Sequence, residues 1–276
     1  MPLRSCVPVV ALLALLGTVA PGAFIPAAIA ATAVTAATAD ADLVARVEAA
    51  TLARRKIVHQ VEADVVVSVN APLWTGAGTC EGRLVARRPG ALRLRGYAAV
   101  STVFDAVTDG RRFAVHLPGP NLMWVGPAGS ESELVGLPVD PGTIVGALFG
   151  EPYGAHGSPR AVGDPGWVAY DQADGAEVRA RYGGSPLRLE EAELRAGGLR
   201  VARLVYRDWR KRKGIWWPTR IEFDGTAGRG SLALEFTDVR FDHVPPDEAF
   251  APPAAPGATV VDLGALVAPL PPGGTH

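Results

Sequence analysis

Lysine is nearly absent from the sequence: of 27 Lys+Arg in 276 residues, only Lys56, Lys211 and Lys213 are lysines. This reads as compositional bias without mechanistic content. Against 28 Asp+Glu the formal net charge is -1, which leaves no excess of positive charge to hold a polyanion and excludes nucleic acid as a partner. The 2 cysteines, Cys6 and Cys80, are too few for a disulfide framework or a thiolate metal cluster. The 5 histidines, His59, His116, His156, His243 and His276, never fall at the spacings a metal site uses. There is no Gly-x-Ser-x-Gly elbow and no phosphate loop, and Gly225 to Gly230 reads as a hairpin. Glu190, Glu191 and Glu193 stand beside Arg188 and Arg195, which suits paired carboxylates on a solvated strand better than an acid and a base. Cys80, without a positioned His, reads as an inert thiol. The sequence thus points to no catalytic residue, no metal and no cofactor.

Turn chemistry, by contrast, is plentiful. With 32 Gly and 24 Pro, a helical bundle or coiled coil is disfavoured, while 48% hydrophobic and 20% charged residues are ordinary globular values. The amino terminus has no charged residue between Arg4 and Asp40, and it contains the compact apolar run Val7 to Leu16 followed by small residues. Residues 1–39 therefore read as a secretory signal peptide, with cleavage after Ala30 or, in preference, after Ala39. An uncleaved anchor over residues 7–31 is the alternative, opposed by Pro8, Pro21 and Pro26. Cys6 precedes the apolar run, so it is misplaced for lipidation, and its removal would leave Cys80 unpaired.

In the exported chain, residues 40–263 read as one domain. Leu43, Val47, Ala50 and Arg54 recur at helical spacing after the capping candidates Asp40 and Asp42. The period then drops to two: Ile57, Val61, Ala63, Val65, Val67 and Val69 share one side, and Gln60, Glu62, Asp64, Ser68 and Asn70 the other. The alternation returns at Leu84 and Ala86, at Leu92 and Leu94, and at Phe113, Val115 and Leu117. Further along it is carried by Val178, Ala180 and Tyr182; by Leu199, Val201 and Val205; by Ile215, Trp217, Ile221 and Phe223; and by Leu232, Leu234 and Phe236. Joints such as Asp109-Gly110, Gly197-Gly198 and Lys213-Gly214 carry hairpin chemistry, giving about eleven strands. One more helix is expected from the Asp140-Pro141 start to the stop at Gly150, with Ile144, Val145, Leu148 and Phe149 on its face. A further strand is expected at Ala258 to Leu263, and residues 264–276 read as a disordered Pro/Gly-rich tail.

Two short helices cannot cover about eleven strands with one dry face, and each large apolar side chain left in water forgoes about 1.5 to 3 kcal/mol. The sheet is therefore expected to curve. The fold class that follows is mainly β (α+β): an incomplete, strongly curved antiparallel barrel with two short helices as a lid over an apolar cavity. A filled barrel or two-sheet sandwich satisfies the same pattern. Phe113, Trp124, Leu148, Phe149 and Trp217 are the candidate lipid-binding lining, chosen by parity or helical face. Arg210, Lys211, Arg212 and Lys213 form a basic run closed by Gly214, read as a solvated hairpin tip or as a contact for anionic headgroups.

The stretch Gly82-Arg83-Leu84-Val85-Ala86-Arg87-Arg88-Pro89-Gly90-Ala91-Leu92-Arg93 resembles the early strand pair of the LolA/LolB-like outer-membrane lipoprotein carriers. Thr108-Asp109-Gly110-Arg111-Arg112-Phe113 resembles their next hairpin, and Pro246-Asp247-Glu248-Ala249-Phe250 through Asp262 resembles the carrier's carboxyl-terminal segment. Leu137-Pro138 through Gly150 is similar to the helix region of the receptor branch. The resemblance covers residues 42–263 through short, degenerate motifs. It implies a periplasmic protein, without chemical turnover, that holds lipoprotein acyl chains or other lipid as a monomer and works with inner- and outer-membrane lipoprotein-sorting components. It also implies that Arg88 tethers the lid. Arg88 shares the parity of Leu84 and Ala86, so its guanidinium is placed to donate to lid carbonyls; snorkelling into water past Pro89 is the alternative. The lack of an acylated amino-terminal Cys in the right place departs from the membrane receptor, and the Pro-rich tail departs from the short carrier ending, so a soluble, carrier-like protein is expected. A lipid-responsive envelope-stress sensor on the same scaffold, or a β-domain without ligand, are the competing functions.

Overall fold

The computed structural model describes residues 27–70, 78–128, 131–132, 137–138, 141–152, 155, 157–172, 175–225, 230–241 and 243–266. Helix α1 (Ala27–Ile57) leads into β1 (Gln60–Asn70), β2 (Gly78–Arg87), β3 (Ala91–Ala98), β4 (Ser101–Asp109), β5 (Arg112–Leu117) and β6 (Leu122–Pro127). Two short strands, β7 (Glu131–Ser132) and β8 (Leu137–Pro138), precede α2 (Pro141–Leu148). The second run comprises β9 (Arg160–Ala161), β10 (Trp167–Asp171), β11 (Glu177–Gly183), β12 (Arg188–Ala196), β13 (Leu199–Arg207), β14 (Arg210–Arg212), β15 (Ile215–Trp217), β16 (Arg220–Gly225) and β17 (Ser231–Arg240). A 3-10 turn at Asp247–Phe250, β18 (Thr259–Asp262) and α3 (Leu263–Leu266) close the described chain.

One sheet of 14 strands, more than the eleven expected, takes the order β18-β6-β5-β4-β3-β2-β1-β17-β16-β13-β12-β11-β10-β9. Among the described residues its two ends do not pair, so the barrel is incomplete. Every pairing is antiparallel except that of β18 with β6, which is parallel. Bulges at Asp64/Val65, Gly96/Tyr97, Arg181/Tyr182 and Leu194/Arg195 bend the strands they interrupt.

The register separates two faces. On one, Ala63, Leu84, Leu94, Ala106, Val115 and Trp124 are successive cross-strand partners. A second apolar row runs through Val69, Leu232, Phe223, Leu204, Ala192, Ala180, Val168 and Ala161. On the opposite face the row Asp224, Arg203, Glu193, Arg179 alternates in sign, the arrangement in which cross-strand charges attract.

The apolar face is covered by α1, through Leu43 and Val47, and by α2 with the residue that follows it, through Val145, Leu148 and Phe149. α1 spans 31 residues and is not the short helix expected; it runs through both candidate cleavage points, while residues 1–26 lie outside the described residues. Among the described residues no helix is long and apolar enough to cross a membrane. Ile57, placed with the β1 face by parity, is instead 58% exposed, because it still belongs to the last turn of α1, and Val58 is buried in its stead. Along β13 the expected apolar face is off by one. Leu199 is exposed, Val205 is buried on the opposite face, and Ala202, Leu204 and Tyr206 point to the core.

The segment after β17 packs on the outer face, where Phe250 and Ala249 contact Ala91, Val107 and Ala114. Arg93 donates to the Ala249 carbonyl at 3.0 Å, and Arg87 pairs with Asp247 at 2.6 Å. The expected strand near the carboxyl end is β18; of the expected tail, residues 267–276 lie outside the described residues.

Candidate functional site

The polar centre of the molecule lies where α2 ends. Gly150 stops the helix with φ 76°, a conformation that disfavours a side chain, and a Cβ there would also stand 3.0 Å from Arg54 Nε. The Glu151 N–H donates to the Gly146 carbonyl at 2.9 Å and the Gly150 N–H to that of Ala147 at 3.0 Å, a Schellman closure. The remaining carbonyls of this end take side-chain donors. The Tyr206 hydroxyl donates to the Ala147 carbonyl at 3.0 Å, and Arg54 Nε donates to that of Phe149.

Three guanidiniums meet there, favourably placed at the negative end of the helix dipole. Glu151, only 8% exposed, accepts from Arg55 on one carboxylate oxygen at 2.7 Å and from Arg88 on the other. Arg88 Nε donates to the Val58 carbonyl at 2.9 Å, and its guanidinium lies 4.8 Å from the centre of the Phe149 ring. Arg88 thus donates to a backbone carbonyl at the α1 end of the lid and to the Glu151 carboxylate at the α2 end, while the carbonyls that close α2 go to Arg54 and Tyr206.

Arg54 also donates through Nη1 to the Trp216 carbonyl at 2.7 Å, and its guanidinium stands 5.2 Å and 5.5 Å from the ring centres of Trp209 and Trp217. Burial pulls its pKa down to about 10, partly offset by Tyr206. The hydrogen bond to Glu151 holds Arg55 above its ordinary value, and burial holds the Tyr206 hydroxyl well above its own.

Of the predicted lining, Leu148, Phe149 and Trp217 come together under α2. Phe149 meets Trp217 edge-on at 6.2 Å, and Trp217 meets Phe236 and Phe241 at 5.6 Å and 5.3 Å. Val47, Val145 and Phe149 have 0% exposure, so this part of the face is filled. Phe113 and Trp124 share the face but sit towards the β18 edge: Phe113 is buried against Gly126, and Trp124 is half-exposed. A cleft of about 360 Å³ bordered mainly by polar residues, among them Ser68, Asn70, Thr79, Glu222, Asp224 and Ser231, contains none of the predicted lining.

The basic run occupies the β14–β15 hairpin. Lys213 and Gly214, with φ 46° and 83°, form its two-residue turn. Arg210, Lys211 and Lys213 are exposed and Arg212 is half-buried, while Arg210 and Lys211 pair with Trp217 and Trp216. The hairpin thus joins the site through the residues that Arg54 and Phe149 touch.

Other sequence expectations resolve more simply. Glu191 is not solvated: at 7% exposure it lies between Arg181 and Arg203. Glu193 pairs with Arg195 and Arg200, and burial raises the Cys80 thiol. No metal-binding group occurs among the described residues. Sequence reading missed Glu151, Tyr206 and Trp209 as site residues, and placed Arg54 only as a helix-face residue. The available signal was Arg54 itself, a cation in register with the dry stripe of Leu43 and Val47.

No protein-family model matches the chain, and no curated protein matches it. Among solved structures it is similar to a LolA superfamily protein from Nitrosomonas europaea (15% identity, 70% of this chain and 90% of that one, TM-score 0.45). It is also similar to a DUF1329 family protein from Desulfovibrio piger (14% identity, 78% and 96%, TM-score 0.48). A third is an outer membrane lipoprotein-sorting protein domain from Vibrio parahaemolyticus (10% identity, 72% and 93%, TM-score 0.44). At these identities and scores, what this chain does is read from its own residues.

Proposed function

We propose that the protein binds acyl chains of lipids or lipoproteins on the apolar face of its sheet, with α2 as the lid, and releases them chemically unchanged. One observation carries this reading: the apolar row runs across the sheet from β1 to Trp124 on β6, whose side chain is only partly buried. The lid end is held by Arg88, Arg55, Arg54 and Tyr206, polar contacts that can exchange for water when α2 lifts. Phe113, Trp124, Leu148, Phe149 and Trp217 line the opened face, and Arg88 acts as latch. Arg210, Lys211, Arg212 and Lys213 meet anionic headgroups at a membrane surface. With residues 1–39 as the signal peptide, the protein works in the periplasm as a monomer, taking cargo from and passing it to lipoprotein-sorting components of the two membranes. It is read as a binding protein and not as an enzyme.

A β-domain without ligand is favoured by the complete burial of Val47, Val145 and Phe149 beneath the lid. Native mass spectrometry of protein purified without detergent separates the two. Retained mass matching one or two acyl chains supports the carrier reading. A bare polypeptide mass, unchanged after incubation with diacyl lipid vesicles, supports the ligand-free domain.

A further inference from the structure

The buried polar atoms without a hydrogen-bond partner among the described residues include three donors in one neighbourhood: Arg54 Nη2, Trp209 Nε1 and Trp217 Nε1. The Arg54 guanidinium lies 5.2 Å and 5.5 Å from the two indole ring centres, so the three side chains that carry these donors pack together under the lid end. Buried donors are nearly always satisfied in folded proteins, which makes three such neighbours a site that expects acceptors. The charges there are unequal. Arg55 and Arg88 take both oxygens of Glu151, while the partners of Arg54 are the neutral carbonyls of Phe149 and Trp216. Among the described residues, Arg54 is thus a largely desolvated cation with no carboxylate hydrogen-bonded to it, and it stands beside two further cations.

We propose that Arg54, Trp209 and Trp217 form the head-recognition site for a fatty-acyl carboxylate. A carboxylate supplies what the site lacks, one negative charge and two oxygens with about four lone pairs for the three donors. An ester carbonyl supplies a single oxygen and no charge. Water can fill the donors but cannot balance the cation. The surroundings decide what the carboxylate is attached to: Trp217 is ringed by Phe149, Phe236 and Phe241, so the remainder of the ligand is apolar. Because Arg54 also holds the carbonyls of Phe149 and Trp216, head capture and lid position act through one guanidinium. The proposal rests on the acyl-binding reading above and narrows it.

Calorimetric titration of the delipidated full-length protein with laurate, methyl laurate and acetate, below the micellar range, tests it. Charge-assisted pairing predicts laurate binding at least about 10-fold tighter than methyl laurate, and acetate binding far more weakly than either. Arg54→Met is expected to bring the laurate to methyl laurate ratio to about one with methyl laurate affinity kept, and Trp209→Phe or Trp217→Phe to weaken laurate by about 3-fold to 10-fold. The two Trp variants carry the test if Arg54→Met does not fold. Equal affinities in the wild type, a ratio that survives Arg54→Met, or acetate binding as tightly as laurate overturns the carboxylate site while leaving acyl binding intact. Absence of binding by both laurate and methyl laurate removes the acyl-binding reading itself.

Discussion

Glu151 shows how much one residue decides. Its carboxylate is nearly buried, and a buried charge is tolerated only when it is paired and hydrogen-bonded. Arg88 and Arg55 provide this from the two sides, one on β2's end and one on α1. Arg88→Leu removes the partner that also ties down Val58, leaving Glu151 with Arg55 alone. The expected cost is about 1–3 kcal/mol. Amide hydrogen exchange would show protection lost at Val145 to Phe149 while the β1 and β17 amides stay protected. Arg88→Lys restores part of it, since an ammonium can meet Glu151 but cannot reproduce the planar fork that also reaches Val58. Uniform loss of protection across sheet and helix would mark Arg88 as a general structural residue and not a latch. The inward parity of Arg88 was readable from Leu84 and Ala86. Its partner was not, because Glu151 follows a helix whose landing place depends on the whole sheet.

At the scale of elements, each strand carries its instructions on two faces. β1 and β17 were legible because Val61, Ala63, Val65, Val67 and Val69, and likewise Leu232, Leu234 and Phe236, keep one parity, despite the apolar Val66 and Ala233 on the other. β13 was not, because Leu199, Val201 and Val205 on one parity compete with Ala202, Leu204 and Tyr206 on the other, and only the register with β12 and β16 resolves the choice. That ambiguity is why Tyr206 escaped notice. α2 was legible from its Asp-Pro start and Gly150 stop, whereas the amino-terminal extent of α1 was obscured by the export-signal pattern over the same residues.

The charged face makes its own prediction. The hydrogen bond from Arg179 holds the Glu177 carboxylate below its usual 4.5, and the backbone N–H groups of Arg112 and Arg111 hold Asp109 below 3.8. Such groups add stability above their unfolded values and lose it as pH falls through the folded ones. The melting temperature is therefore expected to drop by several degrees between about pH 5 and pH 3. Part of the Arg–Glu contribution should disappear in ~0.5 M salt, since exposed pairs are screened. A melting temperature flat across that range would show that these pairs contribute nothing.

For the whole molecule, the relevant quantity is the mismatch between sheet and cover. One 14-stranded sheet carries apolar cross-strand rows, and α1 with α2 covers part of that face while Trp124 on β6 stays only partly buried. The mismatch was visible in composition and periodicity; the way the middle is packed was not, since periodicity reports which face is apolar and says nothing of what occupies it. The measurement that bears on this most directly is photo-crosslinking with a diazirine-bearing fatty acid followed by peptide mapping. Acyl binding on the apolar face predicts label on the peptides carrying Trp124, Phe149 and Trp217, competed away by unlabelled fatty acid. Label confined to the charged face, or label that excess fatty acid does not reduce, would contradict it.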